Sequence, residues 1–244
     1  MLELTFLGSG NAFAQGGRYW SSFLANGRYL FDCPPTALPH LKRQGRPLEE
    51  IRAVFITHFH GDHFMGLPFL LLEYAYLSPR QDDLYIVGPP GAQAFLEGFL
   101  DRCFPNLSQA ETDYRRLYID ADPQREQAVD ELPFRAVPMK HAQGKLACFG
   151  YRVNIGGKTL AYTGDAEYCP EILTLAAGSD VLVADCTYSQ GSGPEHMGLD
   201  DIRRLRKGID PTTTLILTHL DAAPAVSDLD NVIVAQDFAT YRFA

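Results

Sequence analysis

Apolar residues recur along this chain in two rhythms. Short runs rich in β-branched and aromatic residues, Leu2 to Leu7, Tyr29 to Asp32, Ala53 to Thr57 and Leu84 to Val87, each stop at Gly, Pro or Asp, which predicts strands. Between Gly91 and Cys103, the residues Ala92, Phe95, Leu96, Phe99, Leu100 and Cys103 return at steps of three and four, which predicts a helix with all six in the core. Met65 to Leu77 is apolar nearly all round and reads as a helix buried between layers. From Asp101 to Glu131 charge and proline rise, so an irregular connection is expected there. The second half repeats the alternation: Phe134 to Pro138, a hairpin of Phe149 to Ile155 and Thr159 to Thr163 turning at Gly156-Gly157, then Val181 to Ala184 and Thr214 to Thr218. Leu199, Ile202, Leu205 and Ile209 mark one more helix, closed by Gly208. No repeat, low-complexity tract or flexible linker interrupts the pattern, so a single domain over residues 1–244 is expected.

Composition narrows the class. With 21 basic and 30 acidic residues the formal charge is -9, which attracts divalent cations and opposes loose binding to nucleic acid or an anionic membrane. No stretch approaches the length of an apolar membrane span, and the chain opens on a strand rather than on a basic and apolar leader. The five cysteines, Cys33, Cys103, Cys148, Cys169 and Cys186, are scattered and odd in number, so they read as reduced thiols of a cytoplasmic protein.

The chemistry begins directly after Ala53-Val54-Phe55-Ile56. His58, His60, Asp62 and His63 put three imidazoles and a carboxylate within six positions, and these are donors suited to one or two metal ions. Alternation along an extended segment would place His58, His60 and Asp62 on one side, with the turn at Gly61 sending His63 toward a second ion. His141, Asp165 and His219 each follow the end of another strand, where functional groups gather in layered α/β folds. Thr163-Gly164-Asp165 would project its carboxylate from a tight turn, able to bridge two cations through separate oxygens. His40 has no such context and reads as a hydrogen-bonded core or surface histidine. Ligand-bearing strands in both halves predict an α/β fold of two sheets meeting at one edge with helices outside, a four-layer αββα sandwich.

The set His58-x-His60-x-Asp62-His63, His141, Asp165 and His219 resembles the metal ligands of the metallo-β-lactamase superfamily, over Leu4 to Leu220. The resemblance implies His58, His60 and His141 on one ion, Asp62, His63 and His219 on the other, and Asp165 between them. It implies a hydrolase with two divalent metal ions. The His-x-His form favours zinc over the diiron branch, with manganese or iron as alternatives.

Two segments point to a branch. Phe6-Leu7-Gly8-Ser9-Gly10 and Arg18-Tyr19-Trp20-Ser21 are similar to the opening of the ribonuclease Z group, with Tyr19 where an asparagine is usual. Glu195-His196-Met197 resembles that group's additional histidine, which protonates the leaving oxygen; Gly198 follows where Thr or Ser is usual, so the next helix should be more weakly capped. His196, Asp62 and Asp165 are therefore the expected catalytic residues, with Ser9, Arg18 and Thr163 as supporting or substrate contacts. Only 23 residues separate His141 from Asp165, and they hold a short hairpin where ribonuclease Z carries its transfer-RNA-binding arm. The basic run Arg203 to Lys207 is ordinarily a solvated helix face but could attract phosphate.

The expectation is a phosphodiesterase for a small or cyclic phosphodiester, similar to the armless cyclic-phosphate phosphodiesterases although without their cysteine-built zinc site. RNA is disfavoured, no membrane is involved, and a homodimer is admitted by analogy with the branch. The alternatives are an RNA 3′-processing endonuclease, a thioester, lactone or sulfate-ester hydrolase, and, last, a non-catalytic metal-binding protein.

Overall fold

The computed structural model of the chain describes residues 1–78 and 80–244. In chain order its elements are β1 (Leu2–Gly8), β2 (Ser22–Ala25), β3 (Tyr29–Phe31), α1 (Ala37–Arg43), β4 (Ala53–Phe55), α2 (Gly61–Phe64), α3 (Leu67–Tyr76), β5 (Leu84–Gly88), α4 (Ala92–Cys103), β6 (Arg116–Asp120) and β7 (Gln127–Val129). There follow β8 (Leu132–Pro138), β9 (Phe149–Ile155), β10 (Lys158–Tyr162), α5 (Pro170–Ala176), β11 (Val181–Asp185), α6 (Leu199–Gly208), β12 (Thr214–Thr218), β13 (Val232–Val234) and β14 (Thr240–Phe243). Among the described residues the strands form two seven-stranded sheets, ordered β14-β1-β2-β3-β4-β5-β6 and β13-β12-β11-β10-β9-β8-β7.

The two sheets face each other across one core. Leu4, Phe6, Phe23, Phe31 and Phe55 from the first pack against Tyr151, Leu160, Tyr162, Val183 and Ile216 from the second. Register places Phe31 beside both Phe23 and Phe55, and the rings stack at 4.8 and 4.9 Å between centroids, a ladder worth about 0.5–1.5 kcal/mol per pair beyond its buried area. The outer face of the first sheet is covered by residues of α1, α3 and α4, and that of the second by residues of α5 and α6. The architecture is thus the four-layer αββα sandwich of the metallo-β-lactamase fold.

Strand direction creates the rim on which the site is built. β3 and β4 run parallel, and β1 shares their direction because both β1 and β3 are antiparallel to β2. By the same reasoning β8, β10, β11 and β12 all point one way in the second sheet. The carboxyl ends of β1, β3, β4, β8, β10, β11 and β12 therefore gather, and the bond from Leu220 N to Ser9 O joins the two sheets there.

Several expectations need correction. The stretch from Asp101 to Glu131 is not irregular: it holds β6 and β7, edge strands whose residues are mostly half-exposed or exposed and so lack an apolar run to announce them. The helix from Leu67 is not buried between layers, since Phe69 is 47% exposed and Met65, Tyr76 and Leu77 at its ends are also open. On α4, Ala92, Leu96 and Leu100 are core, but Cys103 is exposed and Phe95 is only half-covered, stacking on Phe59 at 4.2 Å. No helix among the described residues is long and apolar enough to cross a membrane.

Candidate metal centre

His58 and His60 lie on the extended segment after β4, but Asp62 and His63 do not continue it. They sit in α2, a single turn beginning at Gly61, so the helix rather than strand alternation brings Asp62 round to the second group. His141 follows β8, Asp165 follows β10 and His219 follows β12. The structure brings them into two groups, His58, His60, His141 and Asp165 in one and Asp62, His63 and His219 in the other. Gly164 makes the Asp165 turn possible: its φ is 59°, and a Cβ there would lie 2.7 Å from that of Thr57. His219 holds a φ of 60° without being glycine, a strained conformation fixed by the Leu220 N to Ser9 O bond.

The donor spacing fits cations better than hydrogen bonds. Asp165 Oδ2 lies 3.3 Å from Nε2 of both His63 and His219, and 3.7 Å from Nε2 of both His58 and His141. Asp62 Oδ2 is 3.3 Å from His63 Nε2 and 3.5 Å from His219 Nε2, while His60 Nδ1 is 3.2 Å from His141 Nε2. Nitrogen and oxygen ligands about 2.0–2.1 Å from a tetrahedral zinc stand about 3.3 Å apart. Among the described residues, buried Nε2 of His58, His63 and His219, together with Asp165 Oδ1, have no hydrogen-bond partner, a costly arrangement that bound cations would relieve.

The far side of each ring explains why those nitrogens are free. Thr57 Oγ1 gives its one proton to Asp32 and so accepts from His58 Nδ1, at 3.0 Å. Thr187 Oγ1 donates to Asp185 Oδ1 and accepts from His219 Nδ1 at 2.7 Å. His63 Nδ1 donates to Asp32 Oδ2 at 2.8 Å, and His141 Nδ1 to the carbonyl of Glu195 at 2.8 Å. With Nδ1 protonated on all four, the Nε2 lone pairs converge, and outer partners of this kind fix ligand orientation in metal sites. Burial disfavours charge on His63, yet Asp165, Asp62 and Asp32 overcome it and push its pKa well above the usual value; a cation would displace that proton. Burial and neighbouring His63 push His58 the other way.

His196 stands at the edge of the site, where its ring nitrogen clusters with donor atoms of Asp165, His219 and Asp185, 4.0 Å from Asp165 Oδ2. Its ring lies 4.7 Å from that of His141 and 5.0 Å from that of His219, and Nδ1 donates to Asp185 Oδ2 at 2.7 Å. Asp185 itself is fully engaged, accepting also from Ala166 N, Thr187 N and Thr187 Oγ1, so it serves as a hydrogen-bond anchor rather than as a metal donor. Burial works against protonation of His196, but Asp185 outweighs it and raises the pKa to about 9.

The remaining expected residues divide. Ser9 is buried, and its N and Oγ donate to Asp237 Oδ1 at 2.8 and 2.7 Å; Arg18 Nη1 donates to Ser9 Oγ at 3.0 Å. Thr163 Oγ1 donates to Gly164 O and accepts from Asp185 N, so this hydroxyl is spent on the framework. His40 is buried and donates to Leu7 O at 2.9 Å. Part of the basic run is committed to the fold: Arg203 pairs with Asp200 and Asp228, Arg206 donates to the carbonyls of Thr213 and Asp210, and the exposed Arg204 lies over Tyr168. The cap of α6 is supported despite Gly198, because Asp201 accepts from its N–H at 3.0 Å.

Asp32 and Asp185 are the residues that sequence reasoning missed. Each ends an apolar strand run, the same signal that singled out Asp165. Asp32 is buried and receives Thr57 N, Thr57 Oγ1, His63 Nδ1 and Tyr162 OH. Replacing it by alanine strands those donors, so we expect a loss of about 3–5 kcal/mol in urea unfolding. A roughly 10- to 100-fold loss of cation affinity should accompany it in chelator competition.

The chain is 26% identical to a ribonuclease Z of Methanosarcina mazei over 97% of its own length and 96% of the relative's. Its structure is similar to that of human tRNase Z, short form, with a TM-score of 0.76 at 23% identity, covering 98% of each chain. It is similar as well to a diphosphatase from the PhnP family, TM-score 0.76 at 20% identity, over 100% of this chain and 98% of that one. The molecule is a ribonuclease Z-like member of the metallo-β-lactamase superfamily, a class of metal-dependent hydrolases. Within that class it belongs to the family described as anti-Pycsar protein Apyc1, whose pattern matches residues 2–232.

Proposed function

We propose that the chain hydrolyses a small or cyclic phosphodiester with two divalent cations, zinc first among them. The observation that carries this reading is His196, anchored on Asp185 at 2.7 Å with its ring between those of His141 and His219. When bound, a cation pair supplies positive charge for the phosphoryl oxygens and acidifies the attacking water. His58, His60 and His141 would hold one cation and Asp62, His63 and His219 the other, with the Asp165 carboxylate shared. His196 would give its proton to the departing alkoxide, a step that hydrolysis of an activated acyl ester needs far less. Asp185 keeps that imidazole oriented and charged for the transfer.

A small substrate is favoured by what is missing between His141 and Asp165. β9 and β10 are joined across Gly156-Gly157 as a tight hairpin, leaving no arm to hold a folded RNA, and the net charge of -9 gives RNA no general attraction. The alignment with the archaeal ribonuclease Z spans 296 positions against 244 residues here, so that relative carries insertions this chain lacks. The relatives' name favours a second reading, RNA 3′-processing.

A turnover panel on cation-reconstituted protein separates the two. The substrates are a bis-aryl phosphate, cyclic nucleotides, a precursor transfer RNA, a lactone and a thioester. Cleavage of the cyclic or bis-aryl phosphodiesters is expected to dominate; activity confined to precursor transfer RNA would overturn the small-substrate reading, and activity confined to the lactone or thioester would overturn phosphodiester chemistry.

A further inference from the structure

Besides Asp32 and His219, three non-glycine residues next to His141 and His196 hold left-handed backbone: Ala142 at φ 53°, Gln143 at φ 50° and Glu195 at φ 67°. Such conformations persist where the surroundings over-determine them, and they concentrate at functional sites. Ala142 and Gln143 directly follow His141, and Glu195 directly precedes His196, so the strain falls on both approaches to the centre. The two segments are 52 residues apart in sequence yet are clasped by one residue. Glu195 O accepts from His141 Nδ1 at 2.8 Å, and Glu195 Oε2 accepts from Gln143 N at 3.0 Å.

The loop behind Glu195 is braced as a unit. Tyr188 OH donates to Pro194 O at 3.0 Å, Tyr188 N to Met197 O at 3.3 Å, and Leu199 N to Tyr188 O at 3.0 Å. A shift of Glu195 would therefore move His141 on one side and His196 on the other together.

We propose that Glu195 is a positioning residue that sets the His141 imidazole and the His196 imidazole in one geometry, so that cation retention and proton delivery depend on the same clasp. The carboxylate holds the left-handed turn after His141, the carbonyl aims the ring, and the peptide link to His196 carries that placement to the acid. The turnover part of this inference rests on the phosphodiesterase reading, whereas the cation part does not.

The test compares wild type, Glu195→Ala, Glu195→Gln, and Glu195→Ala combined with Gln143→Gly. Zinc affinity is read by chelator competition, amide exchange at position 143 is followed in the metal-free chain, and kcat and KM are measured on a cyclic nucleotide, whose alkoxide leaving group needs the proton. Glu195→Ala is expected to weaken binding of the zinc that His141 would hold by about 10- to 100-fold, to lower kcat by a similar factor with KM little changed, and to speed the exchange of the Gln143 amide. Glu195→Gln still presents an acceptor to Gln143 N and should recover most of both losses. In the double variant the Gln143→Gly change lets the backbone take positive φ without help, so zinc affinity should return in part. Unchanged zinc affinity and kcat in Glu195→Ala would overturn the proposal, as would Glu195→Gln failing as badly as alanine. Should wild type turn over no phosphodiester, the functional reading falls, and the zinc and exchange comparisons still decide the clasp.

Discussion

Replacing Asp165 by alanine is expected to abolish phosphodiester turnover, with the largest loss of any single substitution. One oxygen of this carboxylate stands 3.3–3.7 Å from four imidazole nitrogens drawn from both donor groups, and the other is buried with no partner among the described residues. No other side chain faces both groups this way among the described residues. Removing it takes a negative charge from between the two proposed cations, so both should be held less tightly, and several kcal/mol of charge stabilisation at phosphorus should disappear with them. A loss of about 4 kcal/mol corresponds to about a thousandfold in rate. Elemental analysis after gel filtration should find fewer than two cations per chain, and circular dichroism should find the sandwich intact, because the inter-sheet core does not include residue 165. A variant that retained both cations and near-normal turnover would remove Asp165 from the site.

His196→Ala should produce the second-largest loss, and it should depend on the leaving group. The imidazole is held by Asp185 and is not one of the seven proposed ligands, so cation content should be unchanged. Proton donation contributes about 10²–10⁴-fold where the departing group is a poor one, such as the alkoxide released from a cyclic nucleotide. A nitrophenolate departs without a proton, so turnover of bis-nitrophenyl phosphate should fall much less, as should that of any lactone or thioester the enzyme accepts. Parallel loss on every substrate would mean that His196 supports the site's structure and does not deliver a proton. The Asp185→Asn variant should follow the same pattern more weakly, since it keeps the hydrogen-bonding shape and loses the charge.

The donor groups were largely legible in the sequence because their signal is local. Three histidines and an aspartate in six residues have few structural explanations, and His141, Asp165 and His219 stand where apolar runs end. Asp32 and Asp185 stand at the same kind of position but are single carboxylates. Their meaning comes from partners such as His63 and His196, brought near only by the fold. Most strands of the inter-sheet core announced themselves through aromatic and β-branched runs, but the four-residue β2, which brings Phe23 and Ala25 to that core, was too short to stand out, and β13 and β14 were not expected either. β6 and β7 did not announce themselves, because edge strands are half wet and their side chains need not be apolar. The outward residues of α3 misled for the opposite reason: periodicity cannot separate an apolar face turned to solvent from one turned to core, and Phe69 and Tyr76 look alike in either place.

The central claim is that two cations are held between His58, His60 and His141 on one side and Asp62, His63 and His219 on the other. Anomalous diffraction from crystals of zinc-loaded protein, collected above and below the zinc absorption edge, tests it directly. The account predicts two peaks flanking Asp165, each against its own set of imidazoles. Peaks elsewhere, or none with the same rings turned apart, would contradict it.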